Sequence, residues 1–172
     1  MLNYGVKIYS CKDVADKYEG VKCLKPNKKY KIGKFIVQPI PVQHSVENYG
    51  YLIEHPKMGR LVFITDLCDF PYKIPNVNHW IIEANYDEQI VFDRLCNNEI
   101  NRSKSKTHLS INQCVQILKN NLCDDTRNIM LIHLSHENSD EKMFIQKVKD
   151  ATNITPVVAK PKVIMELNKE LF

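Results

Sequence analysis

Apolar residues along this chain fall into two kinds of pattern. Short continuous runs such as Ile36–Val37, Leu61–Ile64, Trp80–Ile82 and Ile129–Ile132 read as strands, and stretches with apolar residues every three or four positions read as helices. Taken in order, Val6–Tyr9 predicts a short strand, and Ser10-Cys-Lys-Asp13 predicts a capping box opening a helix that Gly20 ends. Lys34–Gln43 and Tyr49–His55 predict two strands, the turn Pro56-Lys-Met-Gly59 follows, and Arg60–Thr65 predicts a third strand lying antiparallel to its neighbour. Trp80–Glu83 reads as a further strand and Asp87–Asn97 as a helix. Ser110-Ile-Asn-Gln113 caps a second long helix with apolar positions at Ile111, Cys114, Val115 and Leu118. After the Ile129–His133 strand, Ser139-Asp-Glu141 opens a helix ending near Thr152. Two last strands are expected at Thr155–Ala159 and Lys162–Glu166. This alternation predicts an α/β fold.

Composition narrows the class. With 172 residues and 44% hydrophobic content the chain can bury a sizeable core, and without repeats or linkers it reads as one domain, residues 1–172. No apolar run approaches the ~20 residues of a membrane span, and the start Met-Leu-Asn-Tyr-Gly lacks the pattern of a signal peptide. The six cysteines show no close pairing, which fits reduced thiols. A cytoplasmic protein without a membrane partner is expected. A net charge of +4 and a pI near 8.6 tilt it mildly toward anionic partners. Lys22–Lys34 is read as a solvated basic loop, while Arg102-Ser-Lys104-Ser-Lys106 stands just ahead of His108.

Candidate chemistry collects where predicted strands end. The three runs Ile36–His44, Leu61–Asp66 and Ile129–His133 each finish on a metal-compatible side chain. Ligands in open α/β sheets gather outside the carboxyl ends of strands, so His44, Asp66 and His133 are expected to share one site. Imidazoles suit zinc and similar ions, and a carboxylate can bridge two metals. Beside them, Thr107-His108-Leu109-Ser110 precedes a helix N-terminus, where a histidine could give a proton to a leaving oxygen. Glu83 and Asn85 end another strand and suit a role in holding the ligands. His55 and His79 are assigned no chemistry, and His136 reads equally as substrate-facing or solvent-exposed.

In this order and at these spacings, several segments together resemble the metallo-β-lactamase superfamily, in particular its phosphodiesterase and nuclease branch. They are Val42-Gln-His44 with Tyr49-Gly-Tyr-Leu-Ile-Glu54, Phe63-Ile-Thr-Asp66, Ile82-Glu-Ala-Asn-Tyr86, Thr107-His-Leu-Ser110 and Leu131-Ile-His-Leu-Ser135. The likeness extends from Gly5 to about Glu166 and is greatest toward phage anti-Pycsar phosphodiesterases, which cleave cyclic pyrimidine mononucleotides, and toward YycJ/WalJ-like exonucleases. It implies an αββα sandwich lacking its first strands, roughly the C-terminal two-thirds of a full-length relative.

Carried over by that likeness, His44, Asp66 and His133 are metal ligands, with Asp66 bridging, and His108 is the proton donor at the scissile phosphate. Full-length relatives hold two zinc ions, with manganese as an alternative. The family's His-x-His-x-Asp-His signature has no counterpart here, so at most one weak site is expected. A fragment, a partner chain supplying the missing half, and a remnant that binds without cleaving are the three explanations. The resemblance further implies a cyclic nucleotide or other phosphodiester substrate, a homodimer, and the host cytoplasm if the chain is phage-encoded.

Overall fold

The computed structural model describes residues 5–97 and 107–170. Strands β1 (Ile8–Ser10) and β2 (Val21–Cys23) pair in parallel around helix α1 (Lys12–Lys17). The main sheet follows: β3 (Tyr30–Ile32), β4 (Phe35–Val42), β5 (Asn48–His55), β6 (Gly59–Ile64), β7 (His79–Glu83), β8 (Asn128–Ile132) and β9 (Val157–Val158). Its seven strands stand in sequence order, antiparallel from β3 to β6 and parallel from β6 to β9. Helices α2 (Glu88–Cys96), α3 (Ile111–Asn121) and α4 (Glu141–Thr152) occupy the crossovers of the parallel half.

Strand register explains the core. Ile40, Leu52, Val62, Ile64, Trp80, Ile82, Ile129 and Leu131 are opposite or same-face neighbours across the ladders, and all are buried. Helices α3 and α4 cover this face with Ile111, Cys114, Ile117, Leu118, Phe144 and Val148. On the other face Tyr51, Ile53, Phe63, Ile81 and Met130 are only half-buried, so the two faces of the sheet are unequally covered. Pro39 and Pro41 are tolerated inside β4 because β3 ends its pairing at Val37, which leaves the later part of β4 an edge.

Most expected elements form, and three details differ. Ser10 is the last residue of β1, so α1 starts one residue later behind Cys11, which makes no side-chain cap. The expected strand Lys162–Glu166 does not form. Val163 donates back to the Lys160 carbonyl, Lys162 sits at φ +72°, and the departing chain pairs with no strand. The basic segment read as a loop contains β2 and β3, each only three residues long, which leaves no periodicity to detect. The basic run at Arg102–Lys106 lies outside the described residues. Among the described residues, no helix is long and apolar enough to cross a membrane.

Candidate metal centre

Three parallel strands deliver the site. Asp66 lies two residues beyond the end of β6, Glu83 is the last residue of β7, and His133 directly follows β8. Asp66 and His133 both take left-handed backbone conformations, φ +55° and +59°. That region is uncommon for side-chain-bearing residues and concentrates at functional sites. Neighbours hold each turn. The Asn48 side-chain amide donates to the carbonyls of Thr65 (3.1 Å) and Asp66 (2.7 Å), and the Asn85 amide donates to the His133 carbonyl at 2.7 Å. His108 arrives from the segment before α3, whose N-terminus is closed by the reciprocal Ser110–Gln113 capping box. Backbone bonds from Asn85 N to Leu109 O and from Ile111 N to Tyr86 O fasten that segment to the end of β7.

The resulting cluster is tight. Donor atoms of Asp66, His108 and His133 all lie within 4.8 Å of one another. Asp66 Oδ1 is 3.4 Å from His133 Nδ1 and 3.9 Å from His108 Nδ1, and the two rings meet edge to face with centroids 4.9 Å apart. Ligands at zinc bond lengths on a tetrahedron stand about 3.4 Å apart, so the Asp66–His133 pair fits a divalent ion closely. One carboxylate and two imidazoles are also the donor chemistry such an ion favours. These residues therefore fit one ion with open positions.

Glu83 underlies the cluster. It is fully buried, its Oε1 is 2.7 Å from His108 Nδ1 and 3.3 Å from His133 Nδ1, and its Oε2 accepts from Leu67 N at 3.2 Å. Burial pushes its pKa up to about 7, with the nearby Asp66 charge adding to the rise, while the Leu67 N–H and His133 oppose it. A short bond to His108 Nδ1 fixes that ring and leaves Nε2 as its unengaged nitrogen.

His44 stands apart from the trio: its ring centroid is 5.8 Å from that of His108, and its Nδ1 is 3.2 Å from the Thr107 carbonyl. A carbonyl only accepts, so in this bond the His44 Nδ1–H donates and the ring turns its Nε2 away from Thr107. In place of His44, the structure groups His108 with Asp66 and His133. Asn48, which holds the Asp66 turn from the start of the adjacent strand β5, carried no local sequence signal for that role.

No protein-family pattern matches the chain, and no curated protein matches it. Solved structures do. The metallo-β-lactamase fold protein YhfI from Bacillus subtilis superposes with a TM-score of 0.69 at 17% identity, covering 89% of this chain and 61% of its own. Igni18, a metallo hydrolase from the archaeon Ignicoccus hospitalis, gives 0.66 at 15% identity over 94% of this chain and 68% of its own. A diphosphatase of the PhnP family gives 0.59 at 15% identity over 91% and 56%. The fold is thus the mixed α/β fold of the metallo-β-lactamases, carried on a chain that spans about three-fifths of the length of the Bacillus structure.

Proposed function

We propose that this chain carries part of the catalytic site of a metal-dependent phosphodiesterase, with a cyclic nucleotide as substrate. The convergence of Asp66, His108 and His133 over the buried Glu83 carries this reading. Asp66 and His133 would hold the ion, with His108 at its margin and His44, beside His108, as a further donor. When bound, the ion supplies positive charge against the charge that develops on the phosphoryl oxygens. Glu83 orients the His108 ring through Nδ1, which leaves Nε2 to deliver a proton to the leaving oxygen. Further donors would come from polypeptide beyond these residues, either a preceding segment or a second chain. The PhnP-family neighbour, a diphosphatase, and the net positive charge both favour a phosphate ester.

The test measures metal content after purification together with turnover of bis(p-nitrophenyl) phosphate, cyclic CMP, cyclic UMP and single-stranded nucleic acid. Expected are uptake of zinc or manganese and chelator-sensitive cleavage with the cyclic nucleotides preferred. Preference for the linear strand would make the protein a nuclease instead. Less than about half an equivalent of metal with no turnover overturns the enzyme reading for this chain.

A further inference from the structure

The sheet ladders stop just short of the ion ligands. Pairing between β5 and β6 ends at Tyr51–Phe63 and β6 itself ends at Ile64, so Thr65 and Asp66 continue past the last ladder pair. Pairing between β7 and β8 ends at Glu83–Ile132, one residue before His133. At both exits the ligand residue takes a left-handed backbone conformation. That conformation is costly for a residue with a side chain and persists only where its surroundings over-determine it.

An asparagine stands at each exit. Asn48 opens β5, where its backbone pairs with Val42 on the side away from β6. Its Oδ1 accepts from Tyr49 N at 2.9 Å, and its Nδ2 donates to the carbonyls of both Thr65 and Asp66. Those carbonyls belong to the peptide planes before and after the Asp66 Cα. At the other exit, Ala84 N donates to Ile132 O at 3.0 Å, and the Asn85 Nδ2 donates to His133 O at 2.7 Å. The planes before and after the His133 Cα are held in the same way.

A peptide plane is rigid, so holding both planes around a Cα sets φ and ψ and, with them, the direction of the side chain. Released from the left-handed region, Asp66 would swing its carboxylate from its place 3.4 Å from His133 Nδ1. Functional constellations tolerate only about half an ångström of such movement. Both asparagines aim their amide nitrogens at carbonyls and not at the ion, and an acid in either position would have no N–H to give.

We propose that Asn48 and Asn85 are positioning residues that preform the ion site by locking Asp66 and His133 in left-handed conformations, an inference that rests on those two residues being ion ligands. Zinc affinity is read by competition with a chromophoric chelator, and the φ of Asp66 and His133 in zinc-free protein by NMR coupling constants. In Asn48→Ala and Asn48→Asp, affinity should fall about tenfold or more and Asp66 should leave positive φ. Asn85→Ala should do the same through His133. Asn78→Ala is the control for general destabilisation, because Asn78 also bonds backbone at both ends, Oδ1 to Arg60 N and Nδ2 to Asp125 O, but just before β7, about 15 Å of strand from the cluster. Its loss should lower the urea midpoint and leave zinc affinity unchanged. Wild-type affinity in Asn48→Ala or Asn85→Ala, retention of positive φ at the ligand residue, or an equal loss of affinity in Asn78→Ala overturns the proposal. If Asn48→Ala fails to fold, Asn85→Ala decides by the same two readings on His133. Zinc uptake without turnover of any phosphodiester removes the phosphodiesterase reading and leaves this one standing, whereas no zinc uptake by the wild type overturns both.

Discussion

In Glu83→Gln the buried carboxyl loses its charge but keeps its shape and an acceptor oxygen for the Leu67 N–H. The group sits at 0% exposure, with its pKa raised from an ordinary 4.5 to about 7. Below pH 4.5 both folded and unfolded chains hold the proton, and the group costs nothing. Between 4.5 and about 7 the unfolded chain releases a proton that the folded chain retains, so wild-type stability falls as pH rises. At ~1.4 kcal/mol per pH unit the whole loss has a ceiling of about 3 kcal/mol, flattening above the folded pKa. His79 works in the other direction. Burial lowers its pKa, so it adds stability as pH rises toward 6.5, and the quantity to read is the difference between the two proteins. Urea unfolding of wild type and Glu83→Gln in chelator, stepped from about pH 4.5 to 8, should show wild type losing up to about 3 kcal/mol relative to the variant. A difference that stays flat with pH would show that Glu83 does not retain its proton in the fold.

The ligands should separate by role: Asp66→Ala should abolish ion uptake, whereas His108→Ala should cut turnover by ~10²-fold or more with a smaller loss of ion affinity. Equilibrium dialysis alongside kinetics checks this, and the reverse order would mean that the roles are exchanged. Asp87 caps α2 by accepting from Gln89 N and Ile90 N, and also accepts from Lys147 Nζ at 2.9 Å. Losing the cap and the charged bond in Asp87→Ala should cost about 2–3 kcal/mol in urea unfolding, and Lys147→Met in the same background should add little. Burial works to raise the Asp87 pKa but is outweighed by Lys147 and the two N–H groups, which hold it below 3.8, so its contribution persists above that value and fades as pH falls through the folded pKa. At Gly59, φ is +80° and an added Cβ would collide with Asn78 Oδ1, the oxygen that accepts from Arg60 N. Gly59→Ala should therefore lower the thermal midpoint by several degrees, at a cost above ~1 kcal/mol.

Local pattern was enough for much of this molecule. Runs of β-branched and aromatic residues marked β4 to β8, the Ser110–Gln113 box marked α3, and strand ends bearing Asp66 and His133 pointed to one site, because alternation, capping and strand termination are properties of short segments. Other features depend on partners distant in sequence. The three-residue strands β2 and β3 exist through their ladders, and Lys162–Glu166 stays irregular because no strand is placed to receive it. Within the site, the placing of His108 beside Asp66 and His133, with His44 next to His108, follows from two long-range bonds, Glu83 to His108 and Thr107 to His44. The raised proton affinity of Glu83 likewise comes from its burial among Leu67, His108 and His133, which no window of sequence around Glu83 contains. Chemistry at a strand end can be read from residue type; the distances that turn several such ends into one centre are set by how the strands are stacked.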